Sequence, residues 1–152
     1  MTLPAERFVA SAALFALLVA VPARASAPAG RFTPSAGVVH DSKTGLNWQQ
    51  TVSTTRYTYA NAVTYCGGNV AALPGSGWRL PAIKELQTLI DDSVAPPGPT
   101  IDASAFSSTP ADFFWSSTLY ASNTSNSWTV QFFNGNTNHN AVTDTEYVRC
   151  VR

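Results

Sequence analysis

The sequence predicts a small α+β domain with two short helices in its first half, a mostly antiparallel β-sheet in its second, and one disulfide. Three observations carry this. Ile83, Leu86, Leu89 and Ile90 recur at i, i+3, i+6 and i+7, one face of a helix, straight after a Trp-Arg-Leu-Pro step at residues 78–81. Trp128, Val130 and Phe132 alternate in period two, the pattern of a strand with one covered face. Cys66 and Cys150 are the only cysteines, and they lie in the two halves.

The first 25 residues are read separately. A lone cation, Arg7, precedes an apolar run over residues 8–23, and Ala23-Arg24-Ala25 has the small-x-small form of a cleavage site. This is the three-part pattern of a secretory signal peptide. The competing reading is a membrane anchor, against which the run is short of the roughly 20 residues a span needs. Cleavage after Ala25 leaves residues 26–152, enough for one domain with its own core. In an exported chain the two cysteines are expected to pair rather than stay free. They would close a loop of about 85 residues, a chain-entropy stabilisation of roughly 4–5 kcal/mol. After cleavage no membrane span is expected, and the location is the periplasm or the extracellular surface.

In chain order, residues 26–37 are Pro-, Ala- and Ser-rich and read as a flexible leader, with the domain over 38–152. Val38-Val39-His40 and Leu46-Asn47-Trp48-Gln49 read as a hairpin around the Asp41–Gly45 turn cluster. Thr58 is an expected N-cap for a first helix whose inner face is Tyr59, Ala62, Val63 and Cys66, stopped by Gly67-Gly68-Asn69. In the second helix Pro81 suits the first helical position, where its missing N–H costs nothing. Residues 91–110, with three prolines and a glycine at 96–99 and the adjoining Ala95, form an irregular loop from which Ile101 and Phe106 dip into the core. Three strands follow, over 113–120, 128–132 and 136–142, with Asn134-Gly135 as a type I′ hairpin turn. Residues 146–151 end the chain as a strand. Trp78, Arg79, Pro81, Leu86 and Trp115 are read as structural, and all four tryptophans as core.

Charge excludes some partners. Residues 26–152 carry seven Lys or Arg against eight Asp or Glu, with no basic stripe, so nucleic acid is not an expected partner. There is no repeat of period 20–50.

Several ordered segments share one pattern. These are Asp41-x-x-Thr44-Gly45-Leu46-x-Trp48, Tyr59-Ala60-x-Ala62-x-x-Tyr65-Cys66, Gly77-Trp78-Arg79-Leu80-Pro81 with Glu85-Leu86 and Leu89-Ile90-Asp91, Phe114-Trp115-Ser116-Ser117-Thr118, Trp128-x-Val130-x-Phe132 with Gly135, and Tyr147-Val148-Arg149-Cys150. Together they resemble the C-terminal domain family of the Legionella collagen-like adhesin, the Lcl C-terminal domain, over residues 38–152. The resemblance implies a C-type-lectin-like fold, similar also to the formylglycine-generating enzyme, in which a cysteine of the first helix pairs with one of the last strand. The namesake adhesin binds sulphated glycosaminoglycans and host surfaces through a collagen-like repeat that this chain lacks.

The chemistry-bearing residues point to binding rather than catalysis. The calcium-holding triplets of C-type lectins are missing, and Asp91, Asp92, Asp102 and Asp112 read as solvated loop acids. His40 and His139 match no metal spacing, no nucleophile elbow occurs, and a disulfide would consume both cysteines. No catalytic residue, metal or cofactor is therefore expected. Asn123, Asn126, Asn134, Asn136, Asn138, His139 and Asn140 concentrate amides and one imidazole in what read as two neighbouring hairpin ends, with Tyr120 and Phe133 to supply rings. Amides for hydroxyls and rings for C–H faces are how sugars are held. The bland alternative is that Asn simply favours turns. The expected function is an exported module that recognises glycans or glycosaminoglycans. Its alternatives are a structural or protein-interaction module of the envelope and a degenerate relative of the sulfatase-modifying enzyme.

Overall fold

The computed structural model describes residues 28–152; the segment read as a signal peptide and the first residues of the expected leader lie outside the described residues. Two antiparallel three-stranded sheets and two helices make up the described chain. The first sheet has the order β1 (Phe32–Ser35), β2 (Val38–Asp41), β3 (Asn47–Gln49), and the second the order β4 (Phe113–Leu119), β5 (Asn126–Gln131), β6 (Thr137–Ala141). Helix α1 (Tyr59–Gly67) and helix α2 (Ile83–Gln87) come between them in the chain. The α+β arrangement with a disulfide is as expected.

Adjacent residues of a strand point to opposite faces, and here both faces are covered. Val39, Trp48, Phe114 and Val151 enter one cluster with Leu86, Leu89, Ile101 and Phe106; Val38, Trp115, Val148 and Cys150 enter a second with Ala62, Tyr65, Cys66 and Trp78. Cys66 on α1 is bonded to Cys150, 84 residues on, inside the second cluster. Both sulfurs belong to residues no more than 1% exposed.

Residues 146–152 do not form a continuous strand. They make isolated bridges to Tyr57, Phe114, Trp48 and Arg79 in turn. The segment first pairs beside β4, where Trp115 N–H donates to Tyr147 O, and then beside β3, where Gln49 N–H donates to Cys150 O. It is the seam between the two sheets, and changing partners every two or three residues is what breaks its ladder.

Residues 32–35, read as leader, instead form β1. Phe32 packs edge-on against Phe106 with ring centroids 5.1 Å apart, and Arg31 makes a two-point ion pair with the fully buried Asp41 at 2.9 and 2.7 Å. Asp41 also accepts from Lys43 N–H and the Thr44 hydroxyl. Burial alone would raise the Asp41 carboxyl; these donors outweigh it and hold the group below its ordinary value. Composition hid the strand because the two residues that anchor it, Arg31 and Phe32, sit among Pro, Ala and Gly.

Three further expectations shift. The inner face of α1 is Ala62, Tyr65 and Cys66, and Val63 is left 43% exposed, so the helix is rotated from the predicted stripe. Thr58 occupies the N-cap, but its hydroxyl makes no cap bond. Asn69, at φ 48°, supplies the left-handed residue after the helix, and its amide brackets Leu73 with two hydrogen bonds. At the β5–β6 turn only Gly135 has positive φ, and Gln131 closes the loop through Asn136 O, so this is a longer hairpin loop rather than type I′.

The loop before β4 is irregular as expected, with Ile101 and Phe106 each 1% exposed. Gly98 is the residue that lets it lie against β5. Its φ is +65°, and a Cβ there would meet Phe132 O at 2.5 Å, so both backbone conformation and space exclude a side chain.

Candidate functional site

Helix α2 is short, and its entry is built by the Trp-Arg-Leu-Pro step. Pro81 precedes the N-cap, Ala82, instead of opening the helix. It is buried, and its carbonyl accepts from Ser117 N–H at 2.7 Å, fastening the helix to β4. Ile83 N–H donates to the Thr118 hydroxyl at 3.0 Å. Trp78 is 4% exposed and donates its indole N–H to Pro74 O. Ala82 has no side-chain acceptor, so Glu85 alone caps the helix, taking Ala82 N–H at 2.7 Å. Glu85 also holds Arg79 through two bonds of 2.7 and 2.6 Å. The guanidinium keeps the Glu85 carboxyl below its ordinary range, and the carboxylate raises Arg79.

Arg79 is half exposed, which screens the pair. Arg79→Ala is expected to cost about 0.5 kcal/mol. Glu85→Ala, which also strips the cap, is expected to cost about 1.5 kcal/mol. Urea unfolding of both variants checks the order; an Arg79→Ala loss exceeding that of Glu85→Ala would contradict it.

Beyond α2, the open face of the second sheet carries aromatic groups. Trp128 on β5 pairs across the strands with His139 on β6. Tyr120, just after β4, stacks on His139 with centroids 4.1 Å apart and planes 6° from parallel. Trp128 stands nearly perpendicular to both rings, at 5.3 and 5.8 Å. Asn126 Nδ2 lies 3.0 Å from His139 Nδ1. The turn that places Tyr120 is held by Asn123, whose N–H donates to Tyr120 O and whose carbonyl accepts from Asn126 N–H. Beside this cluster is a groove of about 270 Å³ lined by Ile83, Lys84 and Gln87 from α2, Trp128 from β5 and Thr137 from β6.

The asparagines do not form one neighbouring group. Consecutive hairpins turn at opposite ends of their shared strand, so Asn123 and Asn126 are separated from Asn134 and Asn136 by the length of β5, about 20 Å. The far turn packs elsewhere: a Cβ on Gly135 would meet Ile90 at 3.0 Å. Within β6, His139 faces the aromatic cluster while its neighbours have structural tasks. Asn138 Oδ1 takes the His139 N–H at the outer edge of the sheet, and Asn140 donates to the buried Glu146 at 2.6 Å. Of the expected ligand residues the structure brings together Tyr120, Asn123, Asn126 and His139.

Trp128 was expected in the core with the other tryptophans. Trp48, Trp78 and Trp115 are buried; Trp128 is half-buried and forms a groove wall facing α2. Sequence reasoning missed Lys84, Gln87 and Thr137. The spacing of Lys84 and Gln87 put them on one helix face, and Thr137 falls in step with His139 along β6.

No cluster of three or more His, Cys, Asp or Glu able to hold a metal occurs among the described residues. Asp91 and Asp102 each accept from a serine two residues on and so brace the loop itself, while Asp112 pairs with Arg56. No described helix is long and apolar enough to cross a membrane. No curated protein matches the chain. Over residues 37–152 the sequence matches the Lcl C-terminal domain, and the chain belongs to that family.

Proposed function

We propose that this protein is an exported, surface-associated or periplasmic module that binds glycans on the open face of its second sheet. The carrying observation is the Tyr120–His139–Trp128 cluster with the Asn126 amide at its edge. Rings that are only partly covered offer apolar faces to sugar C–H groups, and amides serve hydroxyls in both directions. Family membership supports a role at the bacterial surface. The C-type-lectin-like reading of the fold belongs to the same proposal; its support is the bond from the first helix to the final segment. The function assigns binding and no catalytic step.

A glycan array probed with the mature chain tests this. Binding is expected, and Trp128→Ala is expected to weaken it at least tenfold, with His139→Ala as a second variant whose exposed position leaves folding intact. A blank array, together with recovery of one stoichiometric envelope protein in a pull-down, would replace the glycan reading with an interaction module.

A further inference from the structure

We infer that Glu146 and the charges around it form an acid-sensitive clasp, in which one proton taken up on Glu146 makes the fold tighter at mildly acid pH than at neutral pH.

Glu146 joins parts of the chain that are distant in sequence. Its backbone exchanges two hydrogen bonds with Tyr57, just before α1, at 2.8 and 3.0 Å. Its Oε1 accepts from the Asn140 amide on β6 at 2.6 Å, and its Oε2 faces Arg56 Nη1 at 3.4 Å. Asn140 is the chain neighbour of His139, so the clasp reaches the strand that carries part of the candidate site. Glu146 itself is only 5% exposed.

The surroundings of Glu146 hold more negative charge than positive. Arg56 is the cation that faces it, and it is shared: its Nη2 pairs with Asp112, just before β4. The same guanidinium lies over the Tyr147 ring, 4.8 Å from its centroid. Asp144, two residues before Glu146, brings a further carboxylate and accepts from Ala141 N–H. Three carboxylates thus gather with one guanidinium. Glu146 is the buried one among them, and its contact with Arg56 is longer than that of Asp112. A proton on Oε2 leaves the Asn140 bond to Oε1 in place and leaves Arg56 to Asp112.

Burial raises the Glu146 carboxyl above its ordinary value; Asn140 and Arg56 offset part of this, and Asp112 and Asp144 add to it. A carboxyl raised in the folded state binds its proton there before the unfolded chain does. Its contribution to stability is fully present below the ordinary value and is lost as pH rises through the folded one. Asp41 and Glu85 are held below their ordinary values, so they act in the opposite sense and at lower pH. Of these acids, Glu146 takes up its proton first as pH falls.

Glu85 and Glu146 are the two glutamates of residues 26–152, so the mature protein labelled with carbon-13 at its glutamate carboxyls gives two resonances to follow. One is expected to titrate above the ordinary glutamate value and the other below it, and Glu146→Gln is expected to remove the first. Asp112→Asn, which leaves Arg56 to Glu146 alone, is expected to lower the Glu146 midpoint. Urea unfolding of the parent and of Glu146→Gln between pH 7 and about 4.5 reads the coupling to folding. The parent is expected to gain stability relative to the variant as pH falls across that window. The inference would be overturned by a Glu146 resonance that titrates at or below the ordinary value, or by an Asp112→Asn protein whose Glu146 midpoint is unmoved. A parent that keeps a constant distance from Glu146→Gln on acidification, or loses ground to it, would overturn it as well. The resonances are read on the folded parent and on Asp112→Asn, so they decide the matter even where Glu146→Gln does not fold.

Discussion

Replacing both bridged cysteines, Cys66→Ala with Cys150→Ala, is expected to lower stability by about 4 kcal/mol, and the melting temperature by roughly 12–20 °C for a domain of this size. The unfolded chain accounts for most of this. The bond closes a loop spanning 84 residues, from α1 to the seam segment. Without it the unfolded chain regains that freedom, while the folded protein loses only two small apolar groups. Paired replacement is the proper test, since a single one leaves a lone buried thiol able to react. Both residues are no more than 1% exposed, so reductant is expected to act slowly on the folded protein and quickly once it is warmed into its transition. Calorimetric melts of the two forms check this. A double variant melting within about 3 °C of the parent would mean that the helix and the seam are held together by packing alone.

The fold was legible wherever a local pattern carried the information. The apolar face of α2, the alternation in β5 and the two cysteines each report on their own neighbourhood and each led to the right element, but the helix stops at Gln87, so Leu89 and Ile90 of the expected face reach the core from the turn that follows it. Partners distant in the chain were not legible. Phe32 packs against the core because Phe106 is there to receive it, and nothing near residue 32 announces that. Val63 fits the helical stripe as well as Tyr65 does; the tertiary contact with Gln49 and Tyr57 is what turns Tyr65 inward. The candidate site shows the same division. Asn composition marked the right sheet but grouped both ends of β5 together, because residues in adjacent turns of a meander are near in sequence and far apart in space. The groove needed α2 laid beside β5 before Lys84, Gln87 and Trp128 could be seen as neighbours.

Arg149 is the residue whose replacement follows most directly from the structure. As the chain neighbour of Cys150 in an extended segment, it lies on the opposite face. It is fully buried, with its guanidinium 4.7 Å from the Phe106 ring and 5.9 Å from that of Phe114. It donates to Gln49 O at 2.6 Å, Gln50 O at 2.8 Å and the Thr109 hydroxyl at 2.7 Å. Those two carbonyls lie where the chain leaves β3, and a buried carbonyl must find a donor. One planar group with several N–H donors serves both and reaches the long loop as well. Burial pushes the guanidinium down to about 9, which still leaves it charged at neutral pH. Arg149→Met keeps the bulk and removes a costly buried charge, yet leaves three acceptors without their donor. The balance is an expected loss of about 3 kcal/mol.

Arg149→Lys is expected to be at least as damaging, despite keeping the charge. A single nitrogen on a shorter stem cannot span three acceptors, and an ammonium is more strongly hydrated than a guanidinium. The two variants separate by pH. A buried lysine has its pKa lowered in the folded state, so between that value and about 10.4 the unfolded chain binds the extra proton. Stability of the Lys variant must then rise with pH across that window, while the Met variant has no such group and stays flat relative to it. Urea unfolding of both proteins between pH 7 and 9.5 reads this difference. A Lys variant within about 1 kcal/mol of the parent at pH 7, with no gain on raising the pH, would show that charge alone is what position 149 requires; the structure instead points to a fixed fork of donors joining β3, the seam and the long loop.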